Sequence, residues 1–166
     1  MATYIALPIL GLLVVLETSL TSQMKLLYGA VDLVLLAVIA WAVQERVRTA
    51  WQWGLFAGLL VSIASALPAV ATILGYLLAT GAALILRRIF WQRPLLAMVT
   101  ATFVCSLLLQ AVAMVALLLS GSLIPVLESV NLIILPSTLL NLILAIPVYA
   151  LISDLANWLY PQELEI

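Results

Sequence analysis

The side chains of this sequence that can do chemistry are few, and they are set in runs as apolar as hydrocarbon. The stretch LPSTLLNLILAIPVYAL, residues 135–151, holds the densest set. On a helix, Ile134, Thr138, Asn141, Ala145 and Tyr149 fall in one stripe at spacings of three and four. A stripe carrying a hydroxyl, a carboxamide and a phenol cannot comfortably face acyl chains, so it is expected to face protein or a wet cavity. Pro147 removes an amide donor and strands the carbonyl of Ile143, which invites a kink and calls for a substitute partner. Pro136 is easier to place, in the first turn of a helix where no donor is needed. The stretch reads as a bent, inward-facing helix closing a bundle. It is not a catalytic motif.

Elsewhere each intramembrane polar group has two readings. Glu17 lies in the outer half of the first apolar run. It is either a buried proton or cation site, or a carboxylate reaching outer-interface water one turn before TSQMK. Asp32, three residues after Gly29, suits the N-terminus of a second helix, where free amides and the dipole favour an anion. Gln110 and Ser106 share a helix face and can bind a ligand or fix register against a neighbouring helix. Gly54 and Gly58, in GLFAG, allow a helix of this chain or of a partner to approach closely. Arg87 and Arg88 mark a helix end and are expected to anchor it among headgroups. The sequence holds no histidine and one cysteine, Cys105, in an apolar run that suits an inert core residue. A zinc site and a histidine-based triad are excluded, no cofactor is expected, and neither an enzyme nor a nucleic-acid binder is indicated.

Composition states what must position these groups. At 67% hydrophobic and 8% charged, the chain lies far outside the range of a water-soluble domain. Its runs are continuous rather than alternating, so the expected fold is all-α, a polytopic integral membrane protein with six transmembrane helices in one domain. The spans are placed at 3–22, 29–45, 51–67, 69–87, 95–119 and 132–158. The N-terminus lacks the basic region of a cleaved signal peptide and reads as a first helix that stays. Residues 51–87 run almost unbroken, and only SALPAV, with Pro68, divides them. As one helix they would be ~55 Å long, so two shorter ones are expected.

Orientation follows from the basic residues. Arg46 and Arg48 in one connection and Arg87, Arg88 and Arg93 in another fall on one side, while the opposite loops hold only Lys25. This bias puts both termini in the cytoplasm. Trp41, Trp51, Trp53, Trp91 and Trp158 all fall at the same expected interface. The one sizeable outer segment, 120–131, alternates apolar and polar residues and can lie along the interface.

Three stretches together resemble the rod shape-determining protein MreD family. They are VDLVLLAVIAWAV (31–43), GLFAGLLVSIASALPAVATILGYLLATGAALILRR (54–88) and LPSTLLNLILAIPVYAL (135–151). The resemblance rests on Asp32-Leu33, on Gly58-Leu59-Leu60, on Pro68, and on Gly75-Tyr76-Leu77. In the last helix it rests on Pro136, Ser137, Asn141, Pro147 and Tyr149. The chain departs from the family at Val31, where a proline is usual, and at Ser62, where an acidic residue is common. The resemblance implies a six-helix fold like that of the substrate-binding subunits of energy-coupling-factor transporters. It implies a non-catalytic scaffold subunit of the bacterial cell-elongation machinery in the cytoplasmic membrane. The implied partners are MreC and, through it, a penicillin-binding transpeptidase, RodA and MreB, alongside membrane lipid. The alternative is a vitamin-binding transporter subunit, with Glu17, Glu128 and Asn131 available to line an outward pocket.

Overall fold

The computed structural model describes residues 2–23, 29–121 and 129–160, leaving aside the side chains of 2–3 and 20–23. Lys25, Glu128 and most of the 120–131 segment lie outside the described residues. Among the described residues six α-helices follow one another: α1 Ala2–Gln23, α2 Leu33–Val43, α3 Ala50–Ala64, α4 Ala69–Ile89, α5 Pro94–Leu119 and α6 Leu135–Leu159. A π-helical turn, Val130–Ile134, runs directly into α6, and no strand occurs among the described residues. Among the described residues three helical runs are long and apolar enough to cross a membrane: α4, α5 and Val130–Leu159, with 21, 26 and 30 residues. The apolar stretches Tyr4–Ser19, Leu33–Val43 and Ala50–Ala64 are shorter.

The centre of the fold is α2. Its sequence, LVLLAVIAWAV, is apolar on every face, and each residue from Val34 to Val43 is buried. A helix of this kind has no side for water and must be surrounded. It is packed by α1, α3, α4, α5 and α6. The expected span of 29–45 contracts here to 11 helical residues, about 16 Å, roughly half the ~30 Å of hydrocarbon. Asp32 stops the helix at one end, and Gln44, extended at φ −65° and ψ 124°, stops it at the other. Both ends find hydrogen-bonding partners on neighbouring segments.

Between α3 and α4 the chain turns where Pro68 stands. Ser65 leaves the helix with ψ 146°, its hydroxyl accepts a bond from the Leu67 amide at 3.1 Å, and Pro68 precedes the first residue of α4. The short turn sets α3 against α4, and the two glycines of GLFAG face that contact. A Cβ on Gly58 would lie 2.9 Å from the Ile73 Cα, and one on Gly54 would overlap the Thr80 hydroxyl. The close approach these glycines permit is therefore within this chain.

The tryptophans part company. Trp51, Trp91 and Trp158 are exposed, whereas Trp41 and Trp53 are fully buried rather than interfacial. The two buried rings stack with centroids 4.3 Å apart, and Trp41 Nε1 donates to Thr49 Oγ1 at 3.2 Å. Stacking and burial of large apolar rings favour this placement, although the buried Trp53 Nε1 has no partner among the described residues.

Candidate functional site

The polar groups dispersed along the sequence converge on the head of α2. Asp32 caps the helix: its Oδ1 accepts from the Leu35 amide at 2.7 Å. The Tyr76 hydroxyl, reaching from α4, donates to the same carboxylate, 2.9 Å from Oδ1 and 3.1 Å from Oδ2. Glu17 comes from α1, and its Oε2 accepts from the Val34 amide at 3.4 Å. Two carboxyl groups thus meet adjacent amides of the first turn of α2 and satisfy N–H groups that have no partner within the helix. Glu17 is half-buried at that helix end.

From the opposite side α6 holds the backbone that leads into α2. Asn141 Oδ1 accepts from the Asp32 amide at 2.9 Å, while its Nδ2 donates to Ser106 Oγ on α5 at 3.1 Å. One turn earlier, Ser137 Oγ accepts from the Ala30 amide at 3.0 Å. The segment before α2 lies directly on α6: a Cβ on Gly29 would come within 2.8 Å of the Pro136 Cβ. The π turn ends just before that contact, with the Leu135 amide bonded to the Val130 carbonyl five residues back. Such a turn re-aims the residues that follow it, here Ser137 and Asn141.

Thr138, Asn141 and Ala145 are buried, and Tyr149 is half-buried, so this stripe faces the bundle. Thr138 Oγ1 donates to the Ile134 carbonyl of its own helix at 2.8 Å and fixes no neighbour. Pro147 lies inside α6, and the residue whose carbonyl it strands, Ile143, is on the exposed side. Gln110 reaches the cluster without joining its hydrogen bonds: its buried Oε1 has no partner among the described residues. The Ser106 hydroxyl serves Asn141 rather than Gln110. Two cavities of about 220 Å³ each flank Asp32 and Gln110, one toward Glu17 and Ser137, the other toward Tyr76 and Thr72.

The far end of α2 is served by Arg87, which turns inward instead of anchoring among headgroups. Its Nη1 lies 3.1 Å from the Ala42 carbonyl, 2.9 Å from that of Gln44 and 3.3 Å from that of Val47. A buried helix thus has carboxyl oxygens accepting at its amide end and a guanidinium donating at its carbonyl end. Arg88, by contrast, is exposed. Arg87→Met should cost about 1–2 kcal/mol, because three carbonyls lose a charged donor at a half-buried site. We expect the unfolding midpoint in detergent to fall by roughly 3–8 °C for Arg87→Met and to stay put for Arg88→Met. Equal shifts would remove the distinction.

Sequence reasoning had no route to Arg87 as a cap, since a basic residue at a helix end is ordinarily solvated. Tyr76 carried a weak signal, a phenol in the middle of an apolar helix, where its hydroxyl needs a partner. Among the described residues no group of three or more histidine, cysteine or acidic side chains could hold a metal ion. Cys105 is buried, its Sγ 3.2 Å from the Ala79 carbonyl. What the arrangement does is electrostatic and positional. It ties α1, α4 and α6, and α5 through Asn141, to the head of a short central helix, and α4 again to its far end.

Among the described residues, an all-helical bundle with three helices long and apolar enough to cross a bilayer, built around a polar-capped apolar core helix, indicates a membrane protein. Comparison with protein-family models, with curated proteins and with solved structures returned no match.

Proposed function

We propose that this protein is a non-catalytic scaffold subunit of the bacterial cell-elongation machinery. In this reading it sits in the cytoplasmic membrane with six crossings and both termini inside, and it binds MreC. Through MreC it is coupled to a penicillin-binding transpeptidase, RodA and MreB. The observation that carries the reading is where the resembling residues meet. Asp32, Tyr76, Ser137 and Asn141 come from three separated stretches, yet they bond to one another or to the same short backbone segment. A pattern whose members are spent on holding a helix suits a protein that offers shape to its partners. The basic residues also gather at one end: Arg87 meets the end of α2, and Arg46 Nη1 lies 3.4 Å from the Tyr160 carbonyl at the end of α6. That end is the cytoplasmic one in this reading.

The alternative, a vitamin-binding transporter subunit, draws on the two cavities beside Asp32. At about 220 Å³ each, they are smaller than the ~300–1,000 Å³ usual for small-molecule sites. The larger groove of about 610 Å³ between α4 and α5 is lined almost wholly by aliphatic side chains that offer a vitamin's polar groups little, so the scaffold reading is preferred.

Purification in mild detergent from the native host should recover a single-span protein with an extracytoplasmic domain. Recovery of an ATPase module with a coupling subunit instead would replace this reading with the transporter. A reporter fused after Ile166 should score as cytoplasmic; an extracytoplasmic score would sink the six-crossing topology.

A further inference from the structure

At the basic end of the bundle lies a cavity of about 240 Å³, between the α2–α3 connection, the start of α5 and the last turns of α6. Its walls include Gln44, Arg46, Tyr149 and Asn157, with Glu45 and Pro94 beside them. Its lining is much more polar than that of the groove between α4 and α5, which is walled by Leu74, Leu78, Leu108 and Val115. From its position and chemistry we infer that this cavity binds the phosphodiester headgroup of a membrane glycerophospholipid, one whose headgroup carries its own hydrogen-bond donors.

The donors decide the ligand's charge. Gln44 Nε2 is buried and has no partner among the described residues, so it carries an unmet desolvation cost. Arg46 is held by one long contact, 3.4 Å to the Tyr160 carbonyl, which leaves most of its five N–H groups for another acceptor. The Tyr149 hydroxyl and the Asn157 carboxamide add two more donors. A guanidinium, two carboxamides and a hydroxyl around one space match the oxygens of a phosphate. The first turn of α5 begins at Pro94 on the wall with no side-chain cap, so its positive end adds to the same preference.

Glu45 decides the rest of the headgroup. A carboxylate on the wall opposes a free phosphate dianion, but it accepts from a glycerol hydroxyl or an ethanolamine ammonium. Choline offers no such donor. Depth agrees with a lipid: the exposed indoles of Trp91 and Trp158 flank Pro94 and Asn157 along the chain, and indoles settle at headgroup level. This inference does not rest on which machinery the protein serves.

The test is native mass spectrometry of the full-length protein in detergent. Phosphatidylglycerol, phosphatidylethanolamine, phosphatidylcholine and inorganic phosphate are titrated separately. One phosphatidylglycerol or phosphatidylethanolamine per chain should be retained about tenfold more tightly than phosphatidylcholine. Arg46→Gln and Gln44→Leu should each weaken retention of all three lipids, Glu45→Leu should remove the preference over phosphatidylcholine, and Arg48→Gln, exposed and outside the cavity, should leave both unchanged. Equal retention of all three lipids, undiminished retention in both donor variants, an unchanged preference with Glu45→Leu, or loss of the preference with Arg48→Gln would overturn the proposal. Displacement of the lipid by millimolar inorganic phosphate would do so too, reassigning the cavity to free phosphate.

Discussion

Replacing Asn141 by leucine should lower the stability of the bundle by about 2–4 kcal/mol, the cost of stranding buried hydrogen-bonding groups at roughly 1–3 kcal/mol each. Interhelical side-chain bonds in membranes usually contribute far less, about 0.6 kcal/mol on average, because the freed groups find other partners. The Asn141–Ser106 bond at 3.1 Å is of that ordinary kind. The bond from the Asp32 amide to Asn141 Oδ1 is not. That amide belongs to backbone already fixed by the cap at Leu35 and by the Ser137 bond to Ala30. It cannot turn to another acceptor without undoing the head of α2. The larger cost therefore wins, and the unfolding midpoint in detergent should drop by roughly 5–15 °C. Ser106→Ala, which breaks the ordinary bond alone, should move it by only a few degrees. An Asn141→Leu protein that melts like the parent would show that the Asp32 amide bond holds nothing.

The second large effect is steric. Gly58→Ala should cost stability, and Gly58→Val should do so by about 3 kcal/mol or more, at the upper end of overpacking. The added Cβ meets the Ile73 Cα at 2.9 Å, an atom of the α4 backbone that cannot rotate away. Relief requires α3 and α4 to separate, and Tyr76, whose Cβ is 3.4 Å from the same point, would move off Asp32. Gly11 supplies the control, since nothing lies within 4 Å of a Cβ built there. Gly11→Ala gains the same helix propensity, up to ~1 kcal/mol, without the collision. Size-exclusion profiles and unfolding midpoints should thus move in opposite directions for the two alanine variants. Movement in the same direction would mean that α3 and α4 have slack.

By itself the sequence determined the helical class, the membrane character and the rough position of each helix. Hydrophobic runs of this length and purity leave the backbone one way to satisfy itself in lipid, and Pro68 and the Asp32 cap act through neighbouring residues alone. The inward face of α6 was legible for the same reason, because a spacing of three and four defines a stripe before any neighbour is known. Only the tertiary structure decided which stripe meets which. It turned the expected 29–45 span into a half-length central helix and put Arg87 on that helix's last carbonyls. It moved Trp41 and Trp53 from the interface into the core, and it brought Glu17, Tyr76 and Asn141 to one point. Each of these depends on how helices distant in sequence are rotated and set against one another. Periodicity along a chain carries no information about that rotation, since hydrocarbon attracts every apolar face alike and only close packing and paired polar groups tell the faces apart.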